Sequence, residues 1–142
     1  MTVRAFIGDG RGEIITAGRD DSVAVVVALL ADKRIGCVPI VDDGHVLGIF
    51  SERDVIYGLQ REGATLLDKP VGSVMTTPAV TIDPDTPTLS ALSLMTRRRV
   101  RHLPIVEGGR LVGFVSIGDL VKARMDHIET EVDAMRAYIQ AS

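Results

Sequence analysis

The chain has 142 residues, a formal net charge of −3 and an aromatic content of 4%, with no tryptophan. A chain of this length buries roughly two thirds of its unfolded surface, so its core needs neither a disulfide nor a metal. The small acidic excess and the scarcity of aromatic rings argue against nucleic acid as a partner. Because Cys37 is the single cysteine and no apolar run approaches the roughly 20 residues that span a bilayer, we expect a cytoplasmic protein without membrane contact.

The first half of the chain predicts short strands and two helices. Residues 8–12, Gly-Asp-Gly-Arg-Gly, predict a flexible turn rather than a dinucleotide-binding loop, because Glu13 stands where a third glycine is required. The following elements are a strand at 13–17, a helix at 23–33, strands at 35–41 and 46–50, and a helix from 51 to about 62. Asp43-Gly44 supplies the tight turn of a hairpin, and Pro39 must lie at an edge or an irregular point of the sheet.

The second half repeats this order after a linker at 63–69 and a short helix that begins near Pro70. It predicts a strand at 80–82, a helix at 88–99, strands at 102–106 and 111–115 joined by a Gly108-Gly109 turn, and a final helix that continues to about 139. Each half therefore reads strand, helix, strand, strand, helix, and its first helix is the crossover between two strands.

The two halves are related by a constant offset of 65 residues. Several positions are identical between 34–54 and 99–119, and no gap is needed to align them. In the first half these positions include Pro39, Ile40, Val41, Gly44, Gly48, Ser51 and Asp54. Since this period is longer than that of a solenoid repeat and shorter than a typical domain, we predict two units that share one core, over residues 1–70 and 71–126.

The last helix extends beyond the repeated unit, and residues 127–142 form a helical extension. Its apolar residues recur at alternating steps of four and three, which is heptad spacing. They are Val121, Met125, Ile128, Val132, Met135 and Ile139. Two interpretations remain open: the stripe packs on its own domain, or it pairs with a second chain to form a homodimer.

Ser51-Glu-Arg-Asp54 and Ser116-Ile-Gly-Asp119 each place a serine and an acid at the start of a helix. Such a pair can be a capping box, which contributes roughly 0.5–2 kcal/mol to stability. It can also be a ligand site, because a helix start suits a phosphate and a carboxylate can accept both hydroxyl groups of a ribose. Both interpretations stay open from the spacing alone.

Arg101 and His102 stand where a helix gives way to a strand, and a guanidinium beside an imidazole can hold phosphate oxygens. The equivalent positions of the first half are Gly36 and Cys37, so the two halves differ chemically. The three arginines at 97–99 are explained by their place at a helix C-terminus, where cations are favoured. Cys37 itself is expected to be a buried packing residue.

The sequence indicates no catalytic centre. His45, His102 and His127 fall in a turn, at a strand start and in the last helix, so they predict no cluster of metal ligands. Neither Ser51 nor Ser116 has a histidine at a spacing that would make it a base, and no Walker loop is present. We therefore expect neither an enzyme nor a catalytic cofactor or metal.

The chain resembles a tandem pair of cystathionine β-synthase (CBS) domains, a Bateman module, over about residues 3–126. The resemblance rests on the duplicated unit and on the segments Val-Pro-Ile-Val-Asp, Gly-Ile-Phe-Ser-Glu-Arg-Asp, Val-Gly-Ser-Val-Met-Thr and Arg-His-Leu-Pro-Ile-Val. It implies an α/β (α+β) fold in which two βαββα units pack sheet to sheet about a pseudo-twofold axis, followed by the extended C-terminal helix. Stand-alone bacterial proteins of this size are common in the family.

The resemblance also implies two clefts between the units that bind an adenosine-containing ligand, either AMP, ADP, ATP, NAD or S-adenosylmethionine. In each cleft the aspartate would hold the ribose, the serine and the helix start the phosphate, and a strand edge the base. The first cleft would contain Ser51, Arg53, Asp54, Thr81, Val100, Arg101 and His102. The second would contain Thr16, Gly36, Cys37, Ser116 and Asp119. The cations favour the first cleft for a charged phosphate.

The function that follows from the resemblance is a non-catalytic regulatory module, which senses an adenine nucleotide and transmits its occupancy to a partner protein. The alternative is a constitutive dimeric interaction scaffold in which the Ser-x-x-Asp pairs only cap helices. Many members of the family are dimers of such modules, so a homodimer is expected in either case, with the last helix as a candidate interface.

Overall fold

The computed structural model describes residues 1–7 and 13–141, so the turn predicted at 8–12 lies outside the described residues. The first unit contains β1 (Ala17–Gly18), α1 (Val23–Lys33), β2 (Cys37–Asp42), β3 (His45–Ser51) and α2 (Glu52–Glu62). β1 runs parallel to β2, and β2 pairs antiparallel with β3. The predicted helices and hairpin are confirmed, whereas the strand expected at 13–17 is shorter and begins only at its last residue.

The second unit contains α3 (Thr88–Arg98), β4 (His102–Glu107), β5 (Arg110–Ser116) and α4 (Ile117–Ala141), and β4 pairs antiparallel with β5. The strand predicted at 80–82 is reduced to one parallel bridge between Ile82 and Ile105. The described residues also contain three short 3-10 helices, at Val3–Phe6, Gly63–Asp68 and Val71–Ser73. The order of elements is that of the predicted duplication.

The backbone repeats in detail at the 65-residue offset. Arg34 and Arg99 end α1 and α3 in the left-handed conformation, with φ of 53° and 55°. Both hairpins carry a register irregularity at the same place, directly after Ile40 and Ile105. This irregularity lies one residue beyond Pro39 and its equivalent, which lack the N–H group that a regular ladder needs. Similar sequences therefore fold into similar local structure twice.

The N-terminal segment packs into the second unit and not into the first. Val3 and Phe6 are buried in one core cluster with Leu103 and Ile105. The N–H group of Val3 donates to the backbone oxygen of Thr86 over 2.9 Å. Because the sheet of the second unit has only two strands, it needs apolar cover from elsewhere in the chain.

The segment that follows residue 70 makes the reverse connection. Val71 is fully buried in the core of the first unit, and Val74 and Met75 pack against the same cluster. The predicted boundary between residues 70 and 71 is therefore not a packing boundary. Val71, Val74 and Met75 pack with the first unit and Val3 and Phe6 with the second, while the division at residue 70 stays a prediction.

The two units meet through their hairpins. The N–H group of Leu111 donates to the oxygen of Gly44 over 2.9 Å, and Nδ1–H of His45 donates to the oxygen of Gly109 over 2.8 Å. Both glycines have positive φ, 79° and 80°, which an L side chain rarely adopts. β3 also contacts β5. The units thus pack sheet to sheet, as the resemblance implied.

α4 begins inside the second unit, where Ala123 still packs against the core, and leaves it after about two turns. Leu120 is fully buried, whereas every residue from 128 to 141 is exposed. On the heptad stripe, Val132 is 42% and Met135 is 64% exposed. The interpretation in which this stripe packs on its own domain is therefore wrong. Although α4 has 25 residues, neither it nor any other helix in the described residues is apolar enough to cross a membrane.

We expect Val3→Ala to lower the free energy of unfolding by about 1–3 kcal/mol, because it leaves a cavity in the core of the second unit. Urea unfolding monitored by circular dichroism measures this loss. Arg4→Ala is the matched control, since Arg4 lies in the same segment but contacts Asp85 at the surface. Equal losses in the two variants would show that the segment is not part of the core.

Candidate functional site

The first cleft lies at the seam between the units, where β3 and the start of α2 face the connection from α3 to β4. It encloses about 580 Å³, which is within the range of small-molecule pockets, roughly 300–1,000 Å³. The residues predicted for this cleft that line it are Ser51, Arg53, Asp54, Val100, Arg101 and His102. The fold therefore brings residues from both halves of the sequence into one pocket.

Ser51 and Asp54 form a complete capping box at the start of α2. The N–H group of Ser51 donates to Oδ2 of Asp54 over 2.9 Å, and the N–H group of Asp54 donates to Oγ of Ser51 over 3.4 Å. The second carboxylate oxygen, Oδ1, accepts a hydrogen bond from the hydroxyl of Thr76 over 2.8 Å. A ribose hydroxyl that binds Asp54 through Oδ1 therefore shares this oxygen with Thr76 or replaces it.

The backbone donors at the two helix starts are largely satisfied inside the chain. The N–H group of Glu52 donates to the oxygen of Gly36 over 3.0 Å, and the N–H group of Ile117 donates to the oxygen of Arg101 over 2.8 Å. With the serine caps, two of the first three N–H groups of α2 and of α4 are engaged. The main donors to a phosphate must therefore be charged side chains and not the helix starts.

The second cleft lies at the same seam, where residues 13–15 and 34–37 face β5 and the start of α4, and it encloses about 520 Å³. Gly36, Cys37, Ser116 and Asp119 line it as predicted. The N–H group of Ser116 donates to Oδ2 of Asp119 over 2.9 Å. Within the described residues no group hydrogen-bonds to Oδ1 of Asp119, which leaves this oxygen available to a ligand.

The two clefts differ in charge. In the described residues, the first cleft has four guanidinium groups and two carboxylates, from Arg53, Arg98, Arg99, Arg101, Glu52 and Asp54. The second has one guanidinium group and two carboxylates, from Arg34, Glu13 and Asp119. The first cleft is therefore net positive and the second net negative, which agrees with the expectation that a phosphate prefers the first.

Gly36, Cys37 and His102 line both clefts, so the two sites share a wall. Cys37 is 3% exposed. Burial raises the pKa of its thiol to about 12, and the negative charge of Asp54 adds to this effect. Cys37 is therefore a neutral, unreactive packing residue, as predicted.

His102 stands at the centre of the seam. Its ring stacks on the ring of Phe114, with centroids 5.5 Å apart and an interplanar angle of 14°. Burial lowers the pKa of His102 below the ordinary value of 6.5, although the charges of Asp119 and Glu52 act in the opposite direction. The ring is consequently neutral near pH 7 and offers one donor and one acceptor.

Two predicted residues do not reach the clefts. Thr81 lines a separate groove, because its neighbour Ile82 bridges to Ile105 and is buried, which directs Thr81 to the other side of the extended chain. Thr16 precedes the buried Ala17 and does not line the second cleft, where residues 14 and 15 take its place. In the first cleft, the corresponding wall is formed by Thr76.

Arg34, Arg99 and Thr76 are among the lining residues that the sequence analysis did not place in a cleft. Arg34 and Arg99 are identical residues at the repeat offset, and this identity could have indicated a shared role in the two clefts. From the sequence, the placement of Arg99 at a helix C-terminus is already a sufficient explanation for it. Thr76 carried no such signal, because its contact with Asp54 depends on how the connecting segment folds back onto β3. The N–H group of Ile49 in β3 donates to the oxygen of Thr76 over 3.0 Å.

A metal site is not indicated in residues 1–7 and 13–141. No group of three or more histidine, cysteine, aspartate or glutamate side chains in this part of the chain could hold an ion. The geometry of both clefts instead suits an organic ligand with hydroxyl and anionic groups, because carboxylates and guanidinium groups stand beside one another.

Comparison with known proteins identifies the family. The model of the CBS domain matches residues 10–61 and 71–126. The mitochondrial CBS domain-containing protein CBSX3 of Arabidopsis thaliana is 33% identical over 126 residues, which cover 85% of this chain and 61% of that protein. This chain therefore belongs to the CBS-domain family and carries two CBS domains in tandem.

Solved structures agree with this assignment. The CBS-domain containing protein ATU1752 from Agrobacterium tumefaciens is 38% identical and superposes with a TM-score of 0.80, covering 87% of this chain and 92% of that one. The structure of CBSX2 in complex with AMP is 27% identical, with a TM-score of 0.76 over 88% of this chain and 96% of that one. CBS domains are in general regulatory modules without catalytic activity.

We predict that His102 makes the protein less stable in mild acid. Its folded-state pKa lies below the unfolded value of 6.5, so the unfolded chain binds the proton more tightly and lowering the pH favours unfolding. Urea unfolding between about pH 7.5 and 5.5 measures the effect, and His102→Gln should reduce this dependence. The prediction fails if the variant and the wild-type protein lose stability in parallel as the pH falls.

Proposed function

We propose that this chain is a non-catalytic regulatory module that binds an adenosine-containing nucleotide between its two CBS domains and transmits the occupancy to a partner protein. The observation that carries this proposal is the first cleft, which four guanidinium groups and a helix-start aspartate line together at the seam. A ligand in this cleft touches both units at once, so its binding free energy depends on how they are packed.

The first cleft is proposed to bind the phosphate groups of AMP, ADP or ATP. A hydrogen bond to a charged group contributes about 1.5–3 kcal/mol, against about 1 kcal/mol for a neutral one, so the guanidinium groups outweigh the backbone donors. Arg53 is oriented for this role, because its Nη1 donates to the oxygen of Arg99 in the other unit over 3.3 Å. The remaining N–H groups of Arg53 can bind a phosphate.

The second cleft is proposed to bind an adenosyl ligand with little or no negative charge. Asp119 can accept the ribose hydroxyls through its available oxygen, whereas a phosphate would meet two carboxylates and a single guanidinium group. S-adenosylmethionine fits this charge pattern better than AMP, ADP, ATP or NAD, because its sulfonium is cationic. The neutral ring of His102 forms part of the same wall.

The AMP bound to CBSX2 supports the proposed class of ligand, since that protein shares this fold at 27% identity. A bound ligand would stabilise the packing of the two units against each other by mass action. A ligand that binds only the assembled units stabilises them by about 2.7 kcal/mol at a hundred times its dissociation constant. That is sufficient to shift the population of conformations that a regulated partner protein would bind.

One observation favours the alternative, a constitutive dimeric scaffold. The capping box at Ser51 and Asp54 is complete, and the hydroxyl of Thr76 donates to the remaining oxygen of Asp54. A residue with no other role than capping would look the same. In the second cleft, no described residue donates to the remaining oxygen of Asp119. The two aspartates must therefore be tested separately.

Thermal unfolding with AMP, ADP, ATP, NAD and S-adenosylmethionine should show stabilisation by at least one of them. At a hundred times the dissociation constant we expect a rise of roughly 5–10 °C in melting temperature. Asp54→Ala should abolish the response to ligands of the first cleft, and Asp119→Ala the response to ligands of the second. Each variant is compared with its own unliganded form, which separates the lost cap from lost binding. If no ligand raises the melting temperature, the alternative of a constitutive scaffold is correct.

Arg101→Gln should weaken AMP binding about 10- to 100-fold, because it removes a charge-assisted hydrogen bond. Binding of S-adenosylmethionine in the second cleft should change little. Isothermal titration calorimetry measures both constants. Arg97→Gln is the matched control, since Arg97 is also exposed but lines the separate groove with Thr81. Equal weakening by the two variants would indicate a general charge effect and not a site.

A further inference from the structure

The geometry points to a parallel, in-register pairing of α4 with α4 of a second copy of this chain. The contact surface, named here the α4 stripe, consists of Val121, Met125, Ile128, Val132 and Met135. These side chains are 41–64% exposed. The stripe extends about 21 Å along the helix, at about 1.5 Å per residue, and most of it projects beyond the core of the second unit.

The spacing of the apolar residues in the stripe indicates that another helix covers it. Alternating steps of four and three residues keep apolar side chains on one narrow seam, and a seam with a period of 3.5 residues is covered by another helix that coils around it. In heptad notation, Met125 and Val132 occupy positions a, and Val121, Ile128 and Met135 occupy positions d. No charged residue interrupts these positions.

The residues that flank the stripe favour an identical partner in parallel orientation. Arg124 and Glu131 occupy positions g, and Glu129 and Arg136 occupy positions e. In a parallel pair, each g residue faces the following e residue of the other helix. Arg124 then meets Glu129 of the second copy, and Glu131 meets Arg136. Twofold symmetry makes each of these opposite-charge contacts twice.

The antiparallel arrangement that buries the stripe to the same extent brings like charges together. In it, e residues face e residues and g residues face g residues across the seam. Glu129 then opposes Glu129, Glu131 opposes Glu131, and Lys122 opposes Arg136. The same sequence that makes the parallel pair attractive makes this antiparallel pair repulsive, so the flanking charges specify orientation.

A membrane surface is a poorer occupant than a second copy. The polar side of an interfacial helix is normally rich in lysine and arginine, which anionic lipids attract. Here the polar residues around the stripe carry four acidic groups against three basic ones, namely Asp126, Glu129, Glu131, Asp133, Lys122, Arg124 and Arg136. Mixed charge of this kind is typical of a helix that pairs with another helix.

Light scattering coupled to size-exclusion chromatography tests the pairing on the full chain over a concentration series. We expect twice the 15.3 kDa mass of one chain for the wild-type protein and a single-chain mass for Val132→Asp. Ala137→Asp is the matched control, because it adds the same side chain to the opposite face of the exposed helix and should leave the dimer intact. Far-UV circular dichroism establishes that each variant is folded.

Charge exchange tests the orientation. Arg136→Glu should weaken the dimer, because it opposes Glu131, and the double variant Glu131→Arg/Arg136→Glu should restore it. In the antiparallel arrangement, Arg136→Glu would strengthen the dimer, since Lys122 would then face an acid. Met135→Cys should also form a disulfide between copies under mild oxidation, as position d meets itself only in the parallel pair. Wild-type protein is the control, because its single thiol, Cys37, is buried.

A wild-type protein that is monomeric at every concentration overturns the inference. So does a dimer that Val132→Asp leaves unchanged, which would place the interface on another surface. A mass that exceeds one chain only with a second protein present would assign the stripe to a heterologous helix and also overturn it. Nucleotide titration of Val132→Asp separates this result from the proposed function, since ligand binding at the seam does not require α4 pairing.

Discussion

The structure depends on the exchange of short apolar segments between the two units. Val3 and Phe6 complete the core of the second unit, and Val71 completes the core of the first. Neither small sheet can cover its own apolar face, so separating the units would expose both cores to water. The hydrophobic effect thereby fixes the seam, and the seam fixes the distance between side chains that lie in different halves of the sequence.

The packing of the two units at this seam shapes both clefts. The clefts differ in charge because some lining residues are not the same in the two halves of the repeat. The repeat supplies a serine, an aspartate and an arginine to each cleft, from Ser51 or Ser116, Asp54 or Asp119, and Arg99 or Arg34. Divergence then adds cations to one cleft only. A capping interaction of about 0.5–2 kcal/mol is compatible with ligand binding, because the serine and backbone bonds use one carboxylate oxygen and leave the other. In the first unit Thr76 donates to that other oxygen and shares it with any ribose. Charge therefore contributes more to the proposed recognition there, and ribose contact contributes more in the second.

α4 joins the second cleft to the exposed heptad stripe through one continuous helix. Asp119 lies in its first turn, and Val121, the first residue of the stripe, follows two residues later. A helix is a stiff connection over this distance, since each turn is held by its own hydrogen bonds. A ligand at Asp119 and a second copy at the stripe would therefore act on the same element. The proposed sensing and the inferred pairing remain separable, because the residues that perform them do not overlap.

The sequence alone determined the duplication, the order of helices and strands, both hairpins and the position of a serine and an aspartate at the start of two helices. These features depend on local patterns, namely turn chemistry, apolar periodicity and capping, which the repeat shows twice. It also predicted most of the lining residues, because the resemblance to CBS domains implied which segments meet. The structure differs from it at short segments: Val71 packs in the core of the first unit, Thr81 and Thr16 do not line the clefts, and Thr76 does. Each of these depends on where a short connecting segment packs, and local patterns contain no information about that. Only the tertiary structure decided the exchange of segments, the shared wall at Cys37 and His102 and the exposure of the α4 stripe, because burial is a property of the whole packed chain.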